Sequence, residues 1–233
     1  MTGHHTARVF EIDPDHLDAD QALAGIDAAA RAVASGELVI FPTETVFGLA
    51  SRPDLEGATR RMFEAKRRPP GLSLPVLVPD ATVAWRLAAP TPLARALAGG
   101  FWPGALTLVL SRTELSEPWQ LGEDERSVAV RVPSHRLTLA LLERSGPLAA
   151  TSANWSGEPP LAEARELVEA FGADVAVRLV LSPEARPPGG LPSTVVDARG
   201  DRPLILRAGT VSESALRATA ARVPRTGPQG RNG

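Results

Sequence analysis

The chain contains no cysteine among its 233 residues. This absence excludes disulfide bonds, thiolate-bound metals and a cysteine nucleophile together. The sequence also has no apolar run long enough to span a bilayer, and residues 1–12 lack the basic segment and apolar stretch of a secretory signal. We therefore expect a cytoplasmic protein without membrane attachment, whose chemistry uses groups other than thiols.

A large excess of charge of either sign is missing as well. The 25 basic and 27 acidic residues leave a net charge of -2. A chain with this balance does not attract nucleic acid over its whole surface, so any site for an anion must be local. With 43% apolar and 22% charged residues, the composition is that of an ordinary globular domain.

Three common site motifs are also absent. The sequence has no Gly-Xaa4-Gly-Lys-Ser/Thr phosphate loop, no Gly-Xaa-Gly-Xaa-Xaa-Gly dinucleotide fingerprint and no His-Glu-Xaa-Xaa-His metal site. His4 and His5 lie near the N-terminus, whereas His16 and His135 are isolated in the sequence. We therefore expect neither zinc catalysis nor a histidine-based triad.

Runs of β-branched and apolar residues alternate with helical periodicity, which predicts a mixed α/β domain. Residues 8–12 and 38–41 are predicted strands, and Asp20 is expected to cap a helix over residues 21–34 that ends at Gly36. The buried face of this helix is expected to contain Leu23, Ile26, Ala30 and Val33.

The remaining elements follow the same alternation. Further strands are predicted at residues 74–78, 106–110, 127–132, 148–150 and 193–196. Further helices are predicted at residues 55–66, 92–98, 137–144 and 161–171, and residues 112–126 are predicted to form a polar surface loop. We expect one main domain at residues 19–212, preceded by an N-terminal arm with the first strand (1–18) and followed by a C-terminal helix and frayed tail (213–233).

The first candidate site follows the predicted strand 38–41. There Pro42 precedes Thr43, Glu44 and Thr45, and strand ends are where open α/β sheets place ligand-binding groups. The two threonine hydroxyls suit a small polar ligand, and Gly48 permits close backbone approach. The same residues would also form an ordinary capped turn, so both interpretations stay open.

The second candidate is a group of three cations, Lys66, Arg67 and Arg68, which ends a predicted helix before Pro69. The helix macrodipole favours cations at this position without any ligand. Alternatively, Lys66 and Arg68 form a phosphate clamp, with the lysine as a point charge and the arginine as a bidentate fork. In an extended segment these two side chains would point the same way.

The third candidate is the segment from Thr151 to Asn154, which contains two hydroxyl groups and one carboxamide directly after an apolar strand. Such groups can order a turn through hydrogen bonds to the local backbone. They can also bind phosphate oxygens or a hydrated Mg²⁺. The segment alone does not decide between these roles.

The fourth candidate combines the glycine-rich residues 188–190, Ser193 and Arg207. A glycine-rich loop could close over a nucleotide while Arg207 pairs with a phosphate. The alternative is a plain β-hairpin, in which Asp197 and Arg207 lie at the turn and at the strand end.

Taken in order, the segments resemble those of a known family. Between the second and third candidates lie Trp102-Pro103-Gly104-Ala105-Leu106-Thr107 and Val128-Ala129-Val130-Arg131-Val132-Pro133. The whole series, over residues 20–210, is similar to that of the YrdC-like threonylcarbamoyl-AMP synthases. The resemblance implies an α/β fold in which a twisted mixed sheet with flanking helices surrounds a large, positively charged concave cavity.

The resemblance also implies a reaction. ATP, L-threonine and bicarbonate would be the substrates, and Mg²⁺ would accompany ATP. The threonine amine captures bicarbonate or carbon dioxide, the resulting carboxylate attacks the α-phosphorus, and pyrophosphate leaves. The product would pass to a tRNA threonylcarbamoyl transferase as protein partner, and direct binding of tRNA is a weaker expectation.

The family's site residues can be placed on this sequence. Lys66 and Arg68 would be catalytic and, together with Ser152 and Asn154, would bind the nucleotide. The other nucleotide-binding residues would be Ser193 and Arg207. The substrate-binding residues would be Thr43, Thr45, Ser152 and Asn154. Because the attacking group is already a carboxylate, the site needs alignment and charge neutralisation rather than a strong general base.

One departure from the family pattern concerns Leu72, which stands where the family usually has a basic residue, before Ser73. This change is expected to weaken contacts to phosphate or carboxylate there. Two alternative functions are retained. One is a non-catalytic RNA-binding protein of the same fold, which would need a broad basic surface. The other is a carbamoyl-AMP-forming enzyme of the hydrogenase-maturation type, which normally carries cysteine-rich modules.

Overall fold

The computed structural model describes residues 7–67, 73–161 and 163–223. Within these ranges the chain forms seven α-helices and one sheet of eleven strands. The helices are α1 (Asp20–Ala34), α2 (Ala58–Ala65), α3 (Ala81–Leu87), α4 (Pro92–Phe101), α5 (Arg136–Ser145), α6 (Ala164–Glu169) and α7 (Glu213–Ala220). The strands are β1 (Arg8–Ile12), β2 (Leu38–Phe41), β3 (Gly48–Ser51), β4 (Val76–Leu77), β5 (Ala88–Ala89), β6 (Leu106–Arg112), β7 (Ser127–Arg131), β8 (Leu148–Ser152), β9 (Val175–Leu181), β10 (Thr194–Asp197) and β11 (Leu204–Arg207).

The sheet is mixed. Its strands follow the order β1-β9-β2-β3-β8-β4-β7-β6-β10-β11, with β5 paired to β6. Four neighbouring pairs are parallel, namely β1–β9, β9–β2, β4–β7 and β6–β10. The remaining pairs are antiparallel. The predicted α/β class with a mixed sheet is confirmed.

Two apolar cores hold the helices on opposite faces of the sheet. Helices α1 and α5 pack on the half that contains β1, β9 and β2, where Ile26 and Leu141 meet Phe41 and Leu179. The other face packs against α2, α3, α4 and α7 through a second core that includes Met62, Leu97, Leu108, Val130 and Leu216. Burial of these side chains provides the main driving force for folding.

The floor of the candidate site is another part of the sheet face on which α1 and α5 pack. Residues opposite each other in a sheet share a face, and every second residue along a strand does so too. The paired residues on this face are Gly48 with Ser152, Leu77 with Arg131, Ala129 with Val109 and Thr107 with Val195. One face from β3 to β10 therefore carries polar and charged groups from several distant segments.

The first part of the chain shows where local prediction worked. The strands at residues 8–12 and 38–41 are confirmed as β1 and β2. Helix α1 begins at Asp20 itself, because the N-cap is Ala19 and has no side-chain capping bond. The expected burial of Leu23 is wrong, since that side chain is 37% exposed. The helix instead buries a face rich in alanine against α5 and β9.

Other predicted elements differ mainly in length. Helix α2 starts three residues later than expected, after Gly57, whose φ of 75° is left-handed. Strand β4 and helix α6 are shorter than predicted, whereas α4, β6 and β8 are longer. The sequence prediction did not include β3, α3, β5 or β9. No helix in the described part of the chain is both long and apolar enough to cross a membrane.

Candidate active site

A cavity of about 810 Å³ lies over the polar floor of the sheet. This volume falls within the usual range for sites that enclose a small molecule. Six of the predicted site residues line it: Thr43, Thr45, Ser152, Asn154, Ser193 and Arg207. Segments that are far apart in the sequence, from the turn after β2 to β11, therefore line one cavity.

The turn between β2 and β3 forms one end of the cavity. The Thr43 hydroxyl donates to the Val46 carbonyl at 2.6 Å and accepts from the backbone N–H groups of Thr45 and Val46, each at 3.2 Å. It also lies 2.9 Å from the Thr45 hydroxyl. The turn is thus capped by its own threonine, and the same threonine lines the cavity. The two interpretations of this segment describe one structure.

Arg131, the last residue of β7, completes this end of the cavity. Its side chain is 7% exposed, and its Nε donates to the Gly104 carbonyl at 3.0 Å. Its Nη2 donates to Glu44 Oε1 at 2.7 Å and to Thr45 Oγ1 at 3.1 Å. Because the Thr43 proton is used by Val46, the Thr45 hydroxyl donates to Thr43. One lone pair of Thr45 then remains for a donor group on a ligand.

Lys66 ties the end of α2 to the turn after β8. Its ammonium group donates to the carbonyl oxygens of Ser152, at 2.5 Å, and of Asn154, and to Asn154 Oδ1 at 3.2 Å. The Lys66 carbonyl in turn accepts from Ser156 N at 3.2 Å. The expected convergence of these two segments is therefore visible in the described residues. Lys66 itself is only 2% exposed, so it supports the turn from the interior rather than from the cavity wall.

The turn after β8 is ordered mainly by Asn154. Its amide nitrogen donates to the carbonyls of Trp155, at 2.9 Å, and Glu158, at 2.5 Å. Its amide oxygen accepts from Ser152 Oγ. Strand β8 continues through Thr151 and Ser152, two residues beyond the prediction. The strand therefore presents Ser152 directly on the cavity floor.

The segment after Lys66 contains Arg68, the second residue of the predicted clamp. Arg68 and Leu72 fall outside the described residues. Ser73 is described and lines the cavity. Before the gap, Arg67 adopts a φ of 51°, which turns the chain sharply out of α2. The Leu74 N–H donates to Leu121 O at 2.6 Å, which anchors the segment that begins at Ser73 to the loop between β6 and β7.

Ser193, directly before β10, and Arg207, on β11, line the part of the cavity that lies over these two strands. Arg207 Nη2 donates to the Ser193 carbonyl at 2.8 Å and to its hydroxyl at 3.1 Å, and the same hydroxyl lies 2.8 Å from Thr107 Oγ1. Burial of its guanidinium lowers the pKa of Arg207, and the charge of Arg131 lowers it further. An anion between the two guanidinium groups would relieve this repulsion.

Close packing maintains the contact between β11 and Ser193. A Cβ atom on Gly209 would lie 2.6 Å from the Ser193 carbonyl carbon, so only glycine permits this approach. Strands β10 and β11 form the antiparallel hairpin that was one of the two alternatives for this region. The glycine-rich segment is docked on the threonine turn, because Gly189 N donates to Glu44 O at 3.0 Å and Gly190 N to Thr45 O at 2.8 Å.

The cavity also has an apolar shelf with charged groups nearby. The apolar side chains of the shelf are those of Val109, Leu121, Ala129, Val195, Leu204 and Leu206. Of these charged groups, Asp197 pairs with Arg199 at 2.6 Å. Asp124 accepts from Ser127 Oγ at 2.6 Å, and this bond is the largest cause of its lowered pKa. The shelf suits a flat, largely apolar ligand group with polar atoms at its rim.

The sequence analysis assigned no role to Arg131, Asp124 or Arg199, and it overlooked one signal at Lys66. Arg131 stands alone as a charge within an apolar strand, at a position that alternates with buried valines, and this pattern is a usable signal. Lys66 is the only lysine of the chain, since the other basic residues are all arginine. The use of lysine at this one position indicates that a compact ammonium group is required there. For Asp124 and Arg199 the sequence gives no comparable signal.

The comparisons with known proteins first define the class. A family model named Sua5/YciO/YrdC and described as "Telomere recombination" matches residues 31–209. The chain belongs to this Sua5/YciO/YrdC family.

Individual relatives are then more specific. A Bacillus subtilis (strain 168) protein named threonylcarbamoyl-AMP synthase is 36% identical over 83% of this chain and 56% of its own length. An Escherichia coli O6:H1 protein of the same name is 37% identical over 68% of this chain and 83% of its own length. The crystal structure of Pyrococcus abyssi Sua5 complexed with L-threonine has a TM-score of 0.75 at 32% identity, over 94% of this chain and 61% of that chain. The chain thus spans only about three fifths of the Bacillus and Pyrococcus proteins.

Proposed function

We propose that this protein is a nucleotidyltransferase that forms L-threonylcarbamoyl-AMP from L-threonine, bicarbonate or carbon dioxide, and ATP. One observation carries the proposal. A single cavity is lined by two threonine hydroxyls with the buried Arg131, by the hydroxyl and amide groups of the turn after β8, and by a second arginine, Arg207, on β11. The names of the relatives supply the reaction, and the cavity supplies a suitable place for each reactant.

The end with Thr45 and Arg131 suits an amino acid. The free lone pair of Thr45 can accept from the substrate ammonium group. Arg131 Nη1 has no hydrogen-bond partner within the described ranges, and Arg131 lines the cavity, so Nη1 is available to a carboxylate or bicarbonate oxygen. The ammonium group first loses one proton, and the free amine then captures bicarbonate, which forms a C–N bond, breaks a C–O bond of bicarbonate and releases water. The product of this step is a carbamate.

The rest of the cavity suits the nucleotide. The apolar shelf can receive the base, while Arg207 and Ser193 provide polar groups near which phosphates would collect. The carbamate oxygen attacks the α-phosphorus, and the bond from that phosphorus to the bridging oxygen breaks as pyrophosphate leaves. The contribution of the protein is to align the two reactants and to neutralise charge on the phosphates.

Mg²⁺ would enter with ATP. The described residues contain no group of three His, Cys, Asp or Glu side chains that could hold a metal ion by themselves. Asp124 and Asp197 line the cavity but are already bonded to Ser127 and Arg199. These observations fit an ion that takes most of its ligands from phosphates and water, as Mg²⁺ commonly does, and that neutralises the triphosphate.

The direct test is product formation. Wild-type protein incubated with L-threonine, bicarbonate and Mg-ATP should release pyrophosphate and form threonylcarbamoyl-AMP, detected by mass spectrometry. Substitution of Arg131 by Met should reduce kcat/KM for threonine by about a hundredfold, because a charge-assisted contact to the amino acid is lost. Absence of the product with wild-type protein, under conditions where a relative makes it, would refute the proposal.

The retained alternatives give different results in the same assays. A carbamoyl-AMP-forming enzyme would release pyrophosphate with carbamoyl phosphate in place of threonine and bicarbonate. An RNA-binding protein would bind tRNA with a steep dependence on salt and would release no pyrophosphate. In the cell we propose that the adenylate passes to a tRNA threonylcarbamoyl transferase, which pull-down of the chain with that enzyme would test.

A further inference from the structure

We propose that Glu44 is a positioning residue, which fixes the guanidinium group of Arg131 in the direction needed to bind the amino-acid substrate. This inference rests on the proposed function, because it concerns the same cavity. Glu44 lies between Thr43 and Thr45, yet those two neighbours line the cavity while the Glu44 carboxylate reaches Arg131. Glu44 would thus act through another residue.

The side chain of Arg131 is buried. A guanidinium group with 7% exposure needs a partner, because removing an isolated charge from water is costly. Within the described part of the chain, Glu44 is the carboxylate that forms an ion pair with Arg131, at 2.7 Å. Loss of the Glu44 charge would leave Arg131 with only the neutral acceptors Gly104 O and Thr45 Oγ1.

The guanidinium group of Arg131 is rigid and is held at two of its nitrogen atoms. Its atoms are coplanar, so contacts at Nε and Nη2 determine the direction of the remaining N–H groups. Gly104 holds Nε, and Glu44 and Thr45 together hold both hydrogens of Nη2. These three contacts come from different segments of the chain. They fix Nη1, the group that remains for substrate.

Glu44 is itself held in place by its backbone. Its main-chain oxygen accepts from Gly189 N at 3.0 Å. Thr138 Oγ1 of α5 donates to Pro42 O, which fixes the start of the turn. The second carboxylate oxygen, Oε2, is buried and has no hydrogen-bond partner among the described residues, so its negative charge is not shared with another donor there. The carboxylate is therefore committed to Arg131.

The test compares Glu44→Gln with wild-type protein. The amide keeps the shape of the side chain but removes its charge, so Arg131 becomes less well oriented. We expect KM for threonine to rise about tenfold, while KM for ATP and kcat change less than about twofold. Glu169→Gln is the matched control, because Glu169 pairs with Arg165 on the exposed side of α6 and should leave all three constants unchanged.

A second comparison separates positioning from general damage. In an Arg131→Met background, Glu44→Gln should raise KM for threonine no further, because its effect passes through Arg131. An equal additional rise in that background would overturn the proposal, as would an unchanged KM for threonine in the single variant.

A readout without catalysis distinguishes this inference from the proposed function. The ¹⁵N-labelled wild-type protein should show a slowly exchanging Nε–H signal that disappears in Arg131→Lys, and Glu44→Gln should broaden or remove the same signal. If that result is obtained and no adenylate is formed, the proposed function fails while the positioning role stands. A signal unaffected by Glu44→Gln would overturn the positioning role whatever the activity.

Discussion

At the scale of single residues, a buried imidazole beside the site affects stability in mild acid. Burial lowers the pKa of His135 below its ordinary value of 6.5, and the nearby charge of Glu44 offsets this effect only in part. The Nδ1 atom of His135 is buried and has no hydrogen-bond partner in the described ranges. Protonation of this ring in the folded state is therefore unfavourable.

The sign of the pH dependence follows from this shift. As the pH falls through 6.5, the unfolded chain binds a proton at His135 before the folded chain does, so the free energy of unfolding decreases until the lower folded pKa is reached. Between about pH 7.5 and about pH 5.5, the Tm of wild-type protein should fall more than that of His135→Gln.

His16 provides a control of opposite sign. A hydrogen bond to Asp13 raises the pKa of His16, so its contribution is present in mild acid and is lost as the pH rises. His16→Gln should therefore make the Tm decrease steeper toward low pH, whereas His135→Gln should make it shallower. Equal slopes in wild type and His135→Gln would contradict the assignment.

Residue-level prediction from the sequence was most successful where a side chain has an unusual local setting. Thr43 and Thr45 were found because polar residues directly follow a buried strand, and both line the cavity. Glu44 was quoted with them, but its partner is 87 positions away, and no local pattern reports such a contact. For the same reason, the sequence around Lys66 does not reveal its acceptors in the turn after β8, which lie 86 and 88 positions away.

At the scale of elements, Lys66 connects a helix to a strand end. Lys66→Met should lower the free energy of unfolding by about 3 kcal/mol, because buried carbonyl oxygens lose a charged donor. Activity should fall as well, since Ser152 and Asn154 would no longer be held together. Thermal or denaturant unfolding, compared with pyrophosphate release, measures the two effects.

Arg67→Met is the matched control for this variant. Arg67 is the adjacent cation and is exposed, so its replacement should change the free energy of unfolding by less than about 0.5 kcal/mol. If Lys66→Met were as stable as wild type, the interior role of this lysine would be wrong, and a position on the cavity wall would be favoured.

Strands β3 and β9 were not predicted because each contains residues that are unusual in a buried strand. Strand β3 begins at Gly48 and contains a glycine and an alanine, which both have low strand propensity, so its position depends on pairing with β2 and β8. Strand β9 contains Arg178, a charge that normally argues against a buried strand. In the structure this side chain is 1% exposed and donates to carbonyls of four residues around the end of α6: Leu167, Ala170, Gly172 and Val175.

At the scale of the whole molecule, the site depends on strand order, which is a non-local property. Strands β8, β4, β7, β6 and β10 are neighbours in space although they come from separate parts of the chain. The family resemblance predicted a large cavity, and the registers explain why one exists. Without that resemblance, the sequence supports an α/β fold and four separate candidate segments, but not their meeting.

A ligand that spans the cavity should stabilise the whole fold. At about 100 times its Kd, a ligand that binds only the folded state adds about 2.7 kcal/mol to the free energy of unfolding. For a chain of this size that corresponds to a rise in Tm of about 5–10 °C. Mg-ATP with threonine should produce such a rise in a thermal-shift assay. An unchanged Tm with saturating ATP and threonine would count against the cavity as the site.

The floor beneath the cavity is continuous sheet, and this continuity sets a distance. Arg131 ends β7 and Arg207 ends β11, with β6 and β10 between them. Three steps of about 4.8 Å place the two guanidinium-bearing strands roughly 14 Å apart. Hydrogen bonds between the strands keep this separation fixed. Two reactants bound at Arg131 and at Arg207 would therefore be held at a set distance from each other by the sheet, without any rotation of one domain against another.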